Sequence, residues 1–209
     1  MYQLYGAAGS GSVVVEAALE LMQQPYQLVD APTWEGDHQR AKVAPVNPMQ
    51  QIPVLVTASG EVLTESGAIL LWLTEQHPQA QLAPLPGTAQ RAQFLRWMSF
   101  IPAAIYSMYW VRDVPQRLVG EDPAAQQGVL DRTAERIAYC WQQMASQLNP
   151  GQFLLGDQLT VLDLYVAVAS RWTPRRERFY QVAPNLADVV RRVDALPQLQ
   201  SLWARRFPF

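Results

Sequence analysis

The chain has 209 residues, 49% of them apolar and 16% charged. That composition provides for a sizeable buried core and excludes a disordered or low-complexity chain, and a formal net charge of −2 excludes the basic footprint expected of a nucleic-acid binder. Cys140 is the single cysteine, which rules out an internal disulfide and a four-thiolate zinc site, leaves no metal site to expect, and makes the cytoplasm the expected compartment.

The opening stretch has no basic leader, and Glu16 and Glu20 interrupt its apolar run, so no signal peptide is expected. No run approaches the roughly 20 apolar residues of a membrane span. In chain order, Tyr2–Tyr5 reads as a strand, Ser12–Gln24 as a helix and Tyr26–Val29 as a second strand. Residues 30–47 carry no decisive pattern, and the element order β-α-β-(α)-β-β-α leaves a bracketed helix there. Val54–Thr57 and Glu61–Thr64 then read as strands joined by the turn Ala58-Ser59-Gly60, and Ser66–Gln76 reads as a helix. A strand, crossover helix and strand imply parallel pairing of the first two strands, while the hairpin adds antiparallel ones.

Charge and composition change together near residue 80. Residues 1–80 hold two basic side chains against eight acidic ones, a balance of −6; residues 81–209 hold fourteen Arg against ten acids, a balance of +4. Three prolines and a glycine fall between Pro78 and Gly87. The expected organisation is a mixed α/β domain over 1–77, a linker over 78–87 and an all-helical domain over 88–209. Helical periodicity marks 88–111, 123–148, 160–172, 185–195 and 198–206, with Pro102 expected at a kink because it removes a helix hydrogen bond. No internal repeat is visible.

Four motifs carry chemistry. Asn47-Pro48-Met49-Gln50-Gln51-Ile52-Pro53-Val54-Leu55 sets an X-Pro pair at the start of a strand, where a cis bond costs little and would turn the Ile52 backbone toward a ligand. Glu65-Ser66-Gly67-Ala68-Ile69 sits between strand and helix, where Ser66 as a cap would leave free N–H groups for an anion. Gly36-Asp37-His38 precedes Asn47 by nine positions at His38. Thr160-Val161-Leu162-Asp163 has the spacing of a capping box that closes a buried helix without orphan donors.

In this order and spacing the motifs resemble those of the cytosolic glutathione S-transferase family, in its bacterial theta-, phi- and beta-like, serine-type members. The resemblance spans about residues 4–199. It implies a thioredoxin-like N-terminal domain joined to an all-helical C-terminal domain, glutathione as co-substrate, a homodimer, and conjugation or isomerisation of small hydrophobic electrophiles. It further implies that Glu65 and Ser66 hold the γ-glutamyl end of glutathione, that the Ile52–Pro53 backbone pairs with its cysteinyl main chain, and that His38 and Gln51 reach its glycine carboxylate. The second substrate would meet Tyr106, Tyr109, Trp110 and Trp172.

The group that stabilises the glutathione thiolate is expected in Tyr5-Gly6-Ala7-Ala8-Gly9-Ser10-Gly11-Ser12. Counted forward from Tyr5-Gly6, the slot falls on Ser10; counted back from Leu19-Glu20, it falls on Gly9, and Ser12 is the second candidate. Ser12 also reads as a plain helix cap before Val13. The loop lacks Cys, which disfavours a thiol reductase. The alternative from another class is a noncatalytic glutathione-fold stress adaptor or ligand-binding protein, and the Gly9 offset favours it.

Overall fold

In the computed structural model, which describes residues 1–207, the apolar, β-prone Tyr2–Gly6 forms β1, followed by α1 (Ser12–Leu21) and β2 (Tyr26–Asp30). The crossover places β2 parallel to β1, with Tyr2 opposite Tyr26 and Gly6 opposite Asp30. β3 (Val54–Val56) and β4 (Val62–Thr64) form the hairpin, and β3 lies antiparallel to β1, so the sheet order is β2-β1-β3-β4. The segment without a decisive pattern contains a 3₁₀ turn at Thr33–Glu35 and α2 (Asp37–Val43), and α3 (Ser66–Gln76) follows β4. α1 buries Val13, Val14, Val15, Ala17, Ala18 and Leu19, and α3 buries Ile69, Leu70 and Leu73. The Ile52–Pro53 peptide is cis, as expected; the Thr173–Pro174 peptide is also cis and carried no sequence signal.

The chain divides into two units. One comprises Met1–Ala83 together with the stretch from Arg192 onward, and the other comprises Pro84–Arg191. The regular structure of the second unit is helical, with one isolated bridge between Phe153 and Gly156. α4 (Ala89–Phe100) runs into a π-helical turn at Ile101–Tyr106 and then α5 (Ser107–Arg112). Pro102 falls in the first turn of that π segment, where its missing N–H is accommodated by wider backbone pairing. After α6 (Gln116–Val119) comes α7 (Pro123–Gln147), started by Asp122, whose side chain accepts from Ala124 N and Ala125 N at 2.9 and 3.3 Å. α8 (Val161–Ala169) is buried along its whole length, α9 (Arg175–Val182) follows, and α10 (Pro184–Asp194) crosses the division between the units. Trp97, Trp141, Tyr165, Phe94 and Phe179 are the largest buried side chains of this unit.

The Thr160–Asp163 capping box is present at the start of α8. Asp163 is 0% exposed, and its carboxylate accepts from Leu154 N at 2.8 Å, Thr160 N at 2.8 Å and the Thr160 hydroxyl at 2.7 Å. Burial pushes its pKa up to about 6 against the hydrogen bonds that favour the anion. Beyond α10, a 3₁₀ turn at Pro197–Leu199 and α11 (Gln200–Arg206) pack with the first unit, Leu199 and α11 resting on α1.

Arg171 follows α8, whereas Arg175, Arg176 and Arg178 open α9 at its positive end. Arg176 and Arg178 are held there by partners that the sequence does not reveal. Arg176 donates to Ala167 O at 2.7 Å and to the Tyr180 hydroxyl at 2.9 Å, and Arg178 meets Glu135 at 3.3 Å.

Candidate functional site

Strand register assembles the site. Tyr5 lies opposite Val54, and Val54 opposite Thr64, so the end of β1, the start of β3 and the end of β4 meet at one end of the sheet. Just past that line are the loop carrying Ser10, the cis Ile52–Pro53 bond, and the Glu65–Ser66 step into α3. β2 ends there too: Asp30 is opposite Gly6, and Ala31 N donates to Gly6 O at 2.9 Å. The N-termini of α1 and α3 both open on this end, which makes it electropositive apart from any side chain.

The loop after β1 is tightly bonded within itself. Ser12, expected either as a helix cap or as a thiol-facing group, is instead the first residue of α1, with Gly11 at the cap position. Its side chain turns inward and is 0% exposed, because Ser12 Oγ accepts from Ala7 N at 3.0 Å beneath Gly6. A Cβ at Gly6 would stand 2.3 Å from that oxygen, so only glycine leaves space for it. Ser10 is half-buried; its hydroxyl donates to Ala7 O at 2.8 Å, lies 2.8 Å from Ser12 Oγ, and accepts from Ser12 N at 3.2 Å. Gly9 has φ +72°, a conformation glycine adopts freely, and its N–H donates to Arg206 O on α11 at 2.8 Å.

That last bond belongs to a clamp that reasoning from the sequence missed. Glu16 is 0% exposed on α1, and its Oε2 meets Arg206 Nη2 at 2.8 Å, Arg206 Nε at 2.9 Å and the Tyr26 hydroxyl at 3.1 Å. Its Oε1 is buried without a partner. Burial raises the Glu16 pKa, and Arg206 opposes the shift. The available signal was a glutamate inside the run Val13-Val14-Val15-Glu16-Ala17-Ala18; a buried acid there requires a cation from elsewhere in the chain.

The remaining predicted residues fall into two groups. Ile52, Pro53, Glu65 and Ser66 stand at the assembled sheet end. Glu65, rather than Ser66, occupies the cap position of α3, with φ +65° and an exposed side chain, while Ser66 is the buried first helical residue; Ile69 N bonds to Glu65 O at 2.9 Å. The cap thus moves one residue back because the backbone turns at Glu65. Gln51 is exposed in a loop pinned by Asn47, whose side chain donates to Gln51 O at 2.9 Å and accepts from Met49 N at 3.0 Å. His38 is exposed on the first turn of α2, its Nδ1 3.5 Å from the position a Cβ on Gly36 would take.

In the helical unit, Tyr106, Tyr109 and Trp172 form a ring cluster with edge-to-face contacts at centroid distances of 4.9 to 6.4 Å, and Tyr109 donates to Thr173 O at 2.6 Å. Trp110 stands apart from the cluster, largely exposed beneath the Arg117 guanidinium. Among the described residues no group of His, Cys, Asp and Glu could hold a metal ion, and no helix is long and apolar enough to cross a membrane.

Comparison with known proteins agrees with this architecture. Residues 4–81 match the model for the glutathione S-transferase N-terminal domain, and residues 118–206 match that for the C-terminal domain. The chain is 32% identical to the uncharacterized GST-like protein YncG of Escherichia coli (strain K12), with 98% of each chain covered. Among solved structures it is similar to a glutathione transferase homologue from Sulfitobacter with bound glutathione, at a TM-score of 0.85 and 22% identity over 98% of each chain. A glutathione transferase from Methylococcus capsulatus gives 0.76 and 26% over the whole of both chains.

Proposed function

The chain belongs to the glutathione S-transferase family, and we propose that it binds glutathione at the end of the thioredoxin-like sheet and holds its sulfur as thiolate for attack on small hydrophobic electrophiles. The carrying observation is the register that brings the Ser10 loop, Ile52–Pro53 and Glu65–Ser66 to one place. Ser10 is the thiolate donor in this reading, because it is the loop hydroxyl with solvent access, whereas Ser12 is wholly buried. Glu65 and Ser66 take the γ-glutamyl end, Ile52 and Pro53 the cysteinyl backbone, and His38 with Gln51 the glycine carboxylate. A cytoplasmic homodimer, acting in detoxification, completes the proposal.

A free thiol near pKa 8.5 is only a few per cent ionised at neutral pH, so the site must favour the charged sulfur. A donor to a charged acceptor is worth about 1.5–3 kcal/mol, and the α1 N-terminus adds a smaller amount. Ultraviolet titration of the bound thiolate tests this. The expected result is a bound thiol ionising about one to two pH units below free glutathione, with Ser10→Ala returning most of that shift while affinity is retained.

A second reading has one observation in its favour. In the structure the Ser10 hydrogen is already engaged by Ala7 O at 2.8 Å. A noncatalytic glutathione-binding adaptor would keep it there. Binding of glutathione with an unshifted thiol pKa would select that reading over the transferase.

A further inference from the structure

The loop between β1 and α1 contains two hydroxyl hydrogens and three oxygen–oxygen contacts. Ser10 Oγ lies 2.8 Å from Ala7 O and 2.8 Å from Ser12 Oγ, and Ser12 Oγ lies 3.3 Å from Ala7 O. Each hydroxyl has one hydrogen, so at most two of these contacts are hydrogen bonds at once. If both hydrogens were on Ala7 O, the two serine oxygens would face each other at 2.8 Å with nothing between them. The arrangement that uses both short contacts sends Ser12 O–H to Ser10 Oγ and Ser10 O–H to Ala7 O.

Distance sets the direction of the chain, since the reverse order would give up the 2.8 Å contact of Ser10 with Ala7 O for the 3.3 Å contact of Ser12, and each serine oxygen also accepts one backbone amide. Ala7 N–H donates to Ser12 Oγ at 3.0 Å, and Ser12 N–H donates to Ser10 Oγ at 3.2 Å. Ser10 Oγ then accepts twice, from the N–H and the O–H of Ser12, and both its lone pairs are used. A ligand arriving at Ser10 is offered a hydrogen and no acceptor.

We propose that Ser12 is a positioning residue that makes Ser10 a donor-only hydroxyl, so that the site is complementary to the thiolate of glutathione and not to its thiol. The inference rests on the reading of Ser10 given above and adds the reason for its selectivity. A thiolate presents only acceptor positions, whereas a thiol brings a hydrogen that would need a free lone pair on Ser10. When sulfur binds, Ser10 turns its hydrogen from Ala7 O to sulfur, and the carbonyl keeps the Ser10 N–H at 3.3 Å. Ser12 is fully buried under Gly6, so water cannot take over its part. The charged groups on α1 and α11 behind the loop, Glu16 and Glu20 with Arg206 and Arg205, are paired with one another.

A double-mutant cycle on the bound thiol separates this from a packing role. The pKa of glutathione bound to wild type, Ser10→Ala, Ser12→Ala and the double variant is read from thiolate absorbance, with affinity measured by calorimetry. Ser10→Ala should raise the pKa by about one to two units. Ser12→Ala should raise it by about 0.1–0.6 unit, since one link of a donor chain strengthens the next by about 10–30%. Affinity should stay within about threefold, and the double variant should match Ser10→Ala alone. A Ser12 effect of the same size with and without Ser10, or none at all, overturns the inference, as does a shift seen only in Ser12→Ala. If wild type leaves the thiol at its solution pKa, the transferase reading itself fails and takes this one with it; a lowered wild-type pKa with an additive cycle overturns this inference alone. Should Ser12→Ala fail to fold, Ser12→Cys, close in size and a weak donor, gives the same readout.

Discussion

Removing the Asp163 side chain should be among the most damaging single substitutions in the helical unit. In Asp163→Ala, the N–H groups of Leu154 and Thr160 lose acceptors at 2.8 Å each, and the Thr160 hydroxyl loses one at 2.7 Å, all in a buried setting. Each buried donor left unpaired costs about 1–3 kcal/mol. The two amides alone therefore cost about 2–6 kcal/mol, a large share of a typical stability of about 5–15 kcal/mol. Thr160→Ala leaves both amides paired and should cost only about 0.5–2 kcal/mol. In urea, with a slope of about 3 kcal/mol/M, Asp163→Ala should bring the midpoint down by about 0.7–2 M at unchanged slope. pH adds a second, independent readout. The folded pKa of Asp163, about 6, is above the usual carboxylate value of 3.8. The folded state therefore binds this proton more tightly, and the stability it contributes is complete below pH 4 and is lost as pH rises through about 6. A rise of about two units corresponds to about 3 kcal/mol. Asp163→Asn, which cannot titrate, should lack that decline, so wild type minus variant should fall across pH 4 to 6. A midpoint for Asp163→Ala within 0.3 M of wild type, roughly 1 kcal/mol at that slope, would refute the bookkeeping of buried donors, and a flat pH difference would refute the titration.

Arg206→Met should destabilise the protein by about 3 kcal/mol in urea, because it strips the cation from a carboxylate that is 0% exposed. Replacing Glu16 as well, in Glu16→Gln/Arg206→Met, should recover part of that loss. Gly6→Ala should cost about 1–3 kcal/mol by overpacking; the new Cβ would meet Ser12 Cβ at 2.5 Å as well as its oxygen, so Ser12→Ala should not rescue it and Ser12→Gly should. Calorimetry on Glu65→Ala and His38→Ala should show glutathione affinity reduced roughly 10- to 150-fold, and unchanged affinity in both would mean these residues do not hold its charged ends. Light scattering at micromolar concentration should give twice the 23.5 kDa chain mass, and a monomer mass would remove the homodimer from the proposal.

What is legible in the sequence is what is local. The β-α-β order, the hairpin at Ala58-Ser59-Gly60, the capping box at Thr160 and Asp163, and the interruption at Pro102 all follow from periodicity, turn chemistry or a missing N–H within a few residues. The cis Ile52–Pro53 bond belongs with them, because X-Pro is the one pair at which that geometry is cheap. Short helices such as α6 and α9 carry no sequence signal because four or eight residues present too few turns for a periodic pattern.

The tertiary structure decided which hydroxyl faces out. The sequence ranks Ser10 ahead of Ser12, with an empty slot at Gly9 as the other count, and cannot orient either side chain, since a serine's orientation depends on what lies beneath it. The missing side chain of Gly6, on the adjacent strand, draws the Ser12 oxygen inward to Ala7 N, and Ser10 is the one left at the surface. Register likewise decided that segments ending at residues 6, 53 and 65 share one edge. The clamp from Arg206 to Glu16 and Gly9 joins positions nearly two hundred residues apart, where no local pattern reaches and only burial of a charge demands a partner.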